Sequence, residues 1–213
     1  MRTLLTAVVV CFVLVATASA GNVALSMLGA TATCGGSITP CFRTVGANQY
    51  LPANAIDGDL GTEWVAPAGG PIDPYLLINL GQEYNINNIA VDGVGNLGND
   101  IQFEVFASAT DSTASALLAD PTALISAGNV TETGGSAWSA SFSFAPTTEQ
   151  YILYYVTCSV GNTAGCTGFG AGLPSLDAGY TTEITANQVP EPGTLALVGA
   201  GLLALGFRWR SRK

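Results

Sequence analysis

Residues 137 to 144 read Ala-Trp-Ser-Ala-Ser-Phe-Ser-Phe: Trp138, Ala140, Phe142 and Phe144 alternate with Ser139, Ser141 and Ser143. Successive side chains of a β-strand point to opposite faces, so this pattern puts aromatics on one face and hydroxyls on the other. No helix can use it. The same signal recurs along the chain. Tyr75 to Leu80, Ile86 to Val94, Ile101 to Ala107, Tyr151 to Cys158 and Tyr180 to Ala186 are apolar or alternating runs bounded by Gly, Asn, Asp or Pro. Val23 to Leu28 is a further strand candidate, and only Ser112 to Leu118 hints at a helix. Seven strands without intervening helices predict an all-β fold, an antiparallel sandwich turning at Gly and Pro.

The two ends are of another kind. Arg2, an apolar stretch from Leu4 to Val15, and Ala18-Ser19-Ala20 form a secretory signal peptide over residues 1–20. The mature chain then starts at Gly21. At the other end, Pro190, Glu191 and Pro192 make a rigid extended segment that cannot join a following helix. An uncharged apolar run from Leu195 to Phe207 comes next, then Arg208, Arg210, Arg212 and Lys213 around Trp209. Cations flanking an apolar run favour the cytoplasmic side of a membrane. Thirteen residues make roughly 20 Å of helix, less than a bilayer core of about 30 Å, so a short span over about 195–209 suits a processing signal. The order of these three elements over residues 189–213 resembles the PEP-CTERM sorting tail of Gram-negative bacteria. That resemblance implies tethering in the inner membrane, recognition by an exosortase, and release to the cell surface or medium.

Between the ends lie residues 21–188, one domain with room for a real core. Of the six Lys and Arg only Arg43 falls in this body, against fourteen carboxylates, a net charge of −13. So acidic a surface repels nucleic acid and attracts divalent cations. The chain has no histidine, which removes every Ser-His-Asp and Cys-His triad and all imidazole metal ligation. Carboxylates are plentiful but sit in no glycosidase-like motif, so the body is read as non-catalytic. Cys34, Cys41, Cys158 and Cys166 remain after signal removal, an even number that reads as two disulfides in an oxidising compartment. Of the three pairings, the local loops Cys34–Cys41 and Cys158–Cys166 are the most economical. Gly93-x-Gly95-x-x-Gly98 has the spacing of a dinucleotide-binding loop, but a strand follows it where that motif needs a helix, so a glycine-rich turn is the reading.

The stretch Asn54-Ala-Ile-Asp57-Gly-Asp59-Leu-Gly-Thr62-Glu-Trp64 forms a tight turn rich in oxygen atoms, the ligand type that hard cations take. It is followed by the strand ending in Leu80-Gly81, the spaced isoleucines Ile86 and Ile89, and a closing Thr182-Glu183-Ile184-Thr185. This order resembles the discoidin-like family, also called coagulation-factor type C or galactose-binding-like domains, from about Leu51 to Ala186. The resemblance implies an antiparallel jelly-roll β-sandwich with Trp64 in its core. It also implies a structural calcium held by Asp57, Asp59, Thr62 and Glu183 with help from carbonyls. Members bind sugars or other ligands through loops at one end, using an exposed aromatic with Arg, His or Asn. Here Tyr50, Tyr75 and Phe169 are the loop aromatics to consider, and Gly161 to Gly172 a candidate binding-end loop. The expected protein is an exported surface or matrix component that binds polysaccharide. A purely structural acidic matrix protein is the rival, and a small glycan hydrolase the third reading.

Overall fold

The computed structural model describes residues 21–36, 39–65, 74–94, 100–131, 137–158 and 180–189. The expected signal peptide, the tail with Pro190, Glu191 and Pro192, Cys166, Phe169 and residues 161–172 lie outside the described residues. Among those described, no helix is long and apolar enough to cross a membrane.

Among the described residues nine strands run in chain order: β1 Thr31–Gly35, β2 Thr44–Val45, β3 Asn48–Gln49, β4 Trp64–Val65, β5 Tyr75–Val94, β6 Asp100–Ser108, β7 Leu124–Thr131, β8 Ala137–Cys158 and β9 Tyr180–Gln188. A short helix, α1 Ala114–Ala119, precedes β7, with the Thr113 hydroxyl accepting from Ala116 N–H as its N-cap. All pairings are antiparallel. The long strands β5 and β8 pair along nearly their whole lengths and carry the chain from one layer to the other. The first half of β5 lies between β1 and the second half of β8, which continues to β6 and β7. Its second half lies between the first half of β8 and β9, which continues to β4. The two layers face each other as a curled antiparallel sandwich.

The alternating residues fill the space between the layers. Leu76, Ile78 and Leu80 are buried at even positions of β5, Ile89 and Val91 at odd ones. A bulge explains the change of parity. Ile86 pairs with Gln188 and Asn88 with Asn187, so Asn87 is the extra residue that turns the next side chains over. The core centres on Phe103, whose ring lies 5.1 Å from Tyr154, 5.9 Å from Phe142 and 6.2 Å from Trp138. Trp64 is fully buried and meets Tyr154 edge-on at 6.5 Å. A smaller cluster covers the outside of the first layer, where Leu117 and Ala114 of α1 pack on Phe106 and Leu153.

Two local expectations change. Val23 to Leu28 is not a strand: past the Asn22–Asn187 bridge it is coil, ending in a 3-10 turn over Ser26–Leu28. Val23 and Ala24 are buried in the core beside β9, while Met27 and Leu28 at the end of the run face outward. The pairs of strands expected at 75–80 and 86–94, and at 137–144 and 151–158, are each one continuous strand. Gly81, at φ 86°, carries β5 through the bend because the left-handed region costs glycine nothing.

Candidate functional site

The Asp57 loop begins where the 3-10 turn Pro52–Ile56 ends. Proline at its first positions presets the turn, and Ala55 and Ile56 anchor it in the core. Gly58 then takes φ 82°, with Leu25 packed so close that a Cβ there would stand 3.2 Å from its Cδ2. Two side chains close the loop on themselves. Asp57 Oδ1 accepts from Asp59 N–H at 2.9 Å, and Asp59 Oδ1 from Gly61 N–H at 2.8 Å. Trp64, two residues past Thr62, is locked in the core and donates from Nε1 to the Cys41 carbonyl at 3.3 Å. The Cys34–Cys41 disulfide, Cα atoms 5.6 Å apart, ties that carbonyl's segment to β1.

The Thr62 hydroxyl is the centre of the loop. Within reach of its Oγ1 stand Asp57 Oδ2 at 2.7 Å, the Asp59 carbonyl at 3.0 Å and the Asn54 carbonyl at 3.5 Å. A hydroxyl has one proton to donate. Three acceptors therefore converge on a group that can serve one of them, an oxygen-rich arrangement that suits a hard cation. Asp59 contributes its carbonyl to this cluster, since its carboxylate oxygen Oδ1 is turned back on Gly61. Among the described residues no three His, Cys, Asp or Glu side chains form a metal-binding group. The cluster is made of a carboxylate, a hydroxyl and two carbonyls instead.

Glu183 comes to the same place from β9. Its Oε2 accepts from Gly58 N–H at 3.0 Å, and its Oε1 from Asn22 Nδ2 at 3.5 Å. Asn22 Oδ1 in turn accepts from Ala24 N–H and Ala186 N–H, both at 3.0 Å, stapling the start of the domain to its last strand. Burial pushes the Glu183 carboxyl up to about 7. The Gly58 and Asn22 hydrogen bonds pull it down, while the negative charges of Asp57 and of Asp92 opposite it on β5 push it further up. A carboxyl held this high, with a second carboxylate beside it, is short of positive charge.

Of the residues singled out in the sequence, the fold thus assembles Asp57, Thr62 and the Asp59 backbone, with Glu183 joined through Gly58. Asn22, 161 residues from Glu183, left no local signal. Among the described loop aromatics, Tyr75 is a packing group. Tyr75 lies against Gly35, its register partner on β1, where any side chain would collide with the Tyr75 ring. Tyr50 is half-buried beside the β2–β3 hairpin, its N–H donating to the Arg43 carbonyl at 3.1 Å. Arg43 offsets part of the burial that raises the Glu63 carboxyl.

Residues 38–167 match the F5/8 type C domain. The chain belongs to this family. The F5/8 type C match begins after β1 and stops before β9, yet both strands pair into the sandwich, so the folded unit is wider than the matched span. Residues 188–213 match the PEP-CTERM protein-sorting motif, which marks the chain for export. No match was found among curated proteins. Among solved structures, a GH29 fucosidase from Ruminococcus gnavus in complex with fucose shares the fold at TM-score 0.53 and 21% identity, over 80% of this chain. The chain spans only 27% of that fucosidase's length. The family 32 carbohydrate-binding module of Clostridium perfringens NanJ, solved with galactose, aligns over 75% of this chain and 93% of its own, at 18% identity and TM-score 0.49.

Proposed function

We propose that the body is a non-catalytic glycan-binding module, carried to the cell surface or matrix of a Gram-negative bacterium by its sorting tail. The observation that carries this reading is the F5/8 type C match over residues 38–167, laid on a sandwich whose two termini meet at one loop. The same fold occurs in a fucosidase solved with fucose, a setting in which it accompanies sugar chemistry. An exosortase-type enzyme reads Pro190, Glu191 and Pro192 and separates the body from the inner membrane. Extracellular polysaccharide is the partner class.

Calcium is the proposed structural ion. Asp57, Thr62 and the carbonyls of Asn54 and Asp59 would hold it, with Glu183 supplying negative charge from β9. Its role when bound is to neutralise these oxygens and fix the loop. The residues themselves already orient the loop, through the two aspartate turns and the Gly58–Glu183 hydrogen bond.

The test is binding of the purified full-length chain to an array of bacterial and plant polysaccharides. Saturable binding to a defined glycan, with no release of reducing ends, supports the module. Turnover of a bound glycan would overturn the non-catalytic reading, and binding to none would leave the acidic matrix role.

A further inference from the structure

A groove of about 240 Å³ lies on the outer face of the first layer, lined by Thr31, Thr33, Leu77, Asn79, Ser112 and Tyr151. It is a product of register. Thr31 pairs with Asn79 on β5, and Asn79 pairs with Tyr151 on β8, so the three side chains stand in one row across three strands. Two interstrand steps make that row about 10 Å wide. Thr33 and Leu77 form the next row of the same face, and Ser112 closes the side nearest α1. The row faces outward because its sequence neighbours Ile78, Leu80 and Ile152 fill the core.

The walls determine what could sit there. Three hydroxyl-bearing residues of Ser and Thr, one amide and one tyrosine line the groove, and no charged side chain does. Asn79 Oδ1 accepts from Gly81 N–H at 2.8 Å and Gln150 Nε2 at 3.2 Å, which fixes the plane of its amide. An anion would enter a body of net charge −13 with no cation in the lining, and a cation would find no carboxylate there. A neutral polyhydroxylated ring meets both kinds of surface, one apolar flank on Leu77 and Tyr151 and hydrogen-bonding groups around it. The volume is below the roughly 300 Å³ at which sites for drug-sized ligands begin, which limits the occupant to about one sugar ring.

We infer that the Thr31–Asn79–Tyr151 row is a binding groove for one neutral hexose residue, placed on the sheet face across β1, β5 and β8. It deepens the glycan-binding reading by naming a surface and a ligand class. The experiment titrates the full-length chain with glucose, galactose, mannose and N-acetylglucosamine up to tens of millimolar, following the side-chain amide resonances of Asn79 and Gln150. Saturable shifts at these two amides are expected with at least one sugar. Thr33→Val, an exposed and nearly isosteric change, should weaken the binding about fivefold, and Tyr151→Leu about tenfold. Unchanged melting of each variant shows the fold is intact. Absence of shifts at Asn79 and Gln150 with all four sugars overturns the groove. Sugar binding that both variants leave untouched also overturns it, while leaving the glycan-binding function standing with its site elsewhere.

Discussion

Glu183 makes the stability of the cation-free protein depend on pH in an unusual direction. Its carboxyl is raised from an ordinary 4.5 to about 7 in the folded chain. The folded state therefore holds this proton more tightly than the unfolded state. Between those two values the native protein binds more protons, so its stability falls as pH rises, and is level above and below. On full burial a displacement of this size would correspond to about 3 kcal/mol. The carboxyl adjoins the exposed Asp57 loop, and solvent screening reduces the expected effect to about 1–2 kcal/mol. For a chain of this length that is roughly 3–6 °C in melting temperature. Glu183→Gln keeps the shape and an oxygen acceptor for Gly58 N–H but cannot titrate. The assay is thermal unfolding of wild type and Glu183→Gln in chelator across this pH range. Wild type should lose that much stability relative to the variant between pH 4.5 and about 7. Glu63 and Glu149, also raised by burial, tilt both proteins alike and cancel in the difference. Parallel curves, or a wild type that gains on the variant as pH rises, would refute the reasoning.

Three further perturbations follow from packing and connectivity. Gly35→Ala puts a Cβ where the Tyr75 ring lies, and displacing that ring should cost about 1–3 kcal/mol by urea unfolding, with Tyr75→Ala relieving part of it in the double variant. Phe103→Ala removes the ring on which Trp138, Phe142 and Tyr154 converge and should cost about 3–5 kcal/mol, together with a loss of near-ultraviolet dichroism. Reducing or replacing Cys34 and Cys41 opens a loop with a sequence separation of 7, for which chain entropy gives about 2.5 kcal/mol, read as a lower urea midpoint with unchanged slope.

The strands that were plain in the sequence are those with one face in the core. Trp138, Phe142, Ile152 and Tyr154 of β8 and Phe103 and Val105 of β6 alternate with polar or outer-face groups, and period two shows directly. β1 escaped because it is built of small and polar residues, Thr-Ala-Thr-Cys-Gly, whose inward members are only Ala32 and Cys34. The Val23 to Leu28 run misled for the opposite reason. Its apolar side chains include Leu25, which packs on Gly58, and Met27, which faces solvent. The bulge at Asn87 and the fusion of two strand pairs into β5 and β8 depend on pairing between distant segments, which no local pattern encodes. At the site, Asp57, Gly58 and Thr62 were legible because one turn holds them all. Asn22 and the use of the Asp59 carbonyl were not, since one depends on the meeting of the chain ends and the other on backbone direction.

Thermal unfolding of the full-length chain with calcium and with chelator tests most directly whether the oxygen cluster at Thr62 is an ion site closing the sandwich. Binding to the folded state alone should stabilise by about 2.7 kcal/mol at a hundredfold excess over the dissociation constant. An upward shift in melting temperature with calcium is expected. Asp57→Ala and Thr62→Val should abolish it, whereas Asp120→Ala, on a distant exposed turn, should retain it. An unchanged melting temperature in wild type, or an equal shift in all three variants, would contradict it.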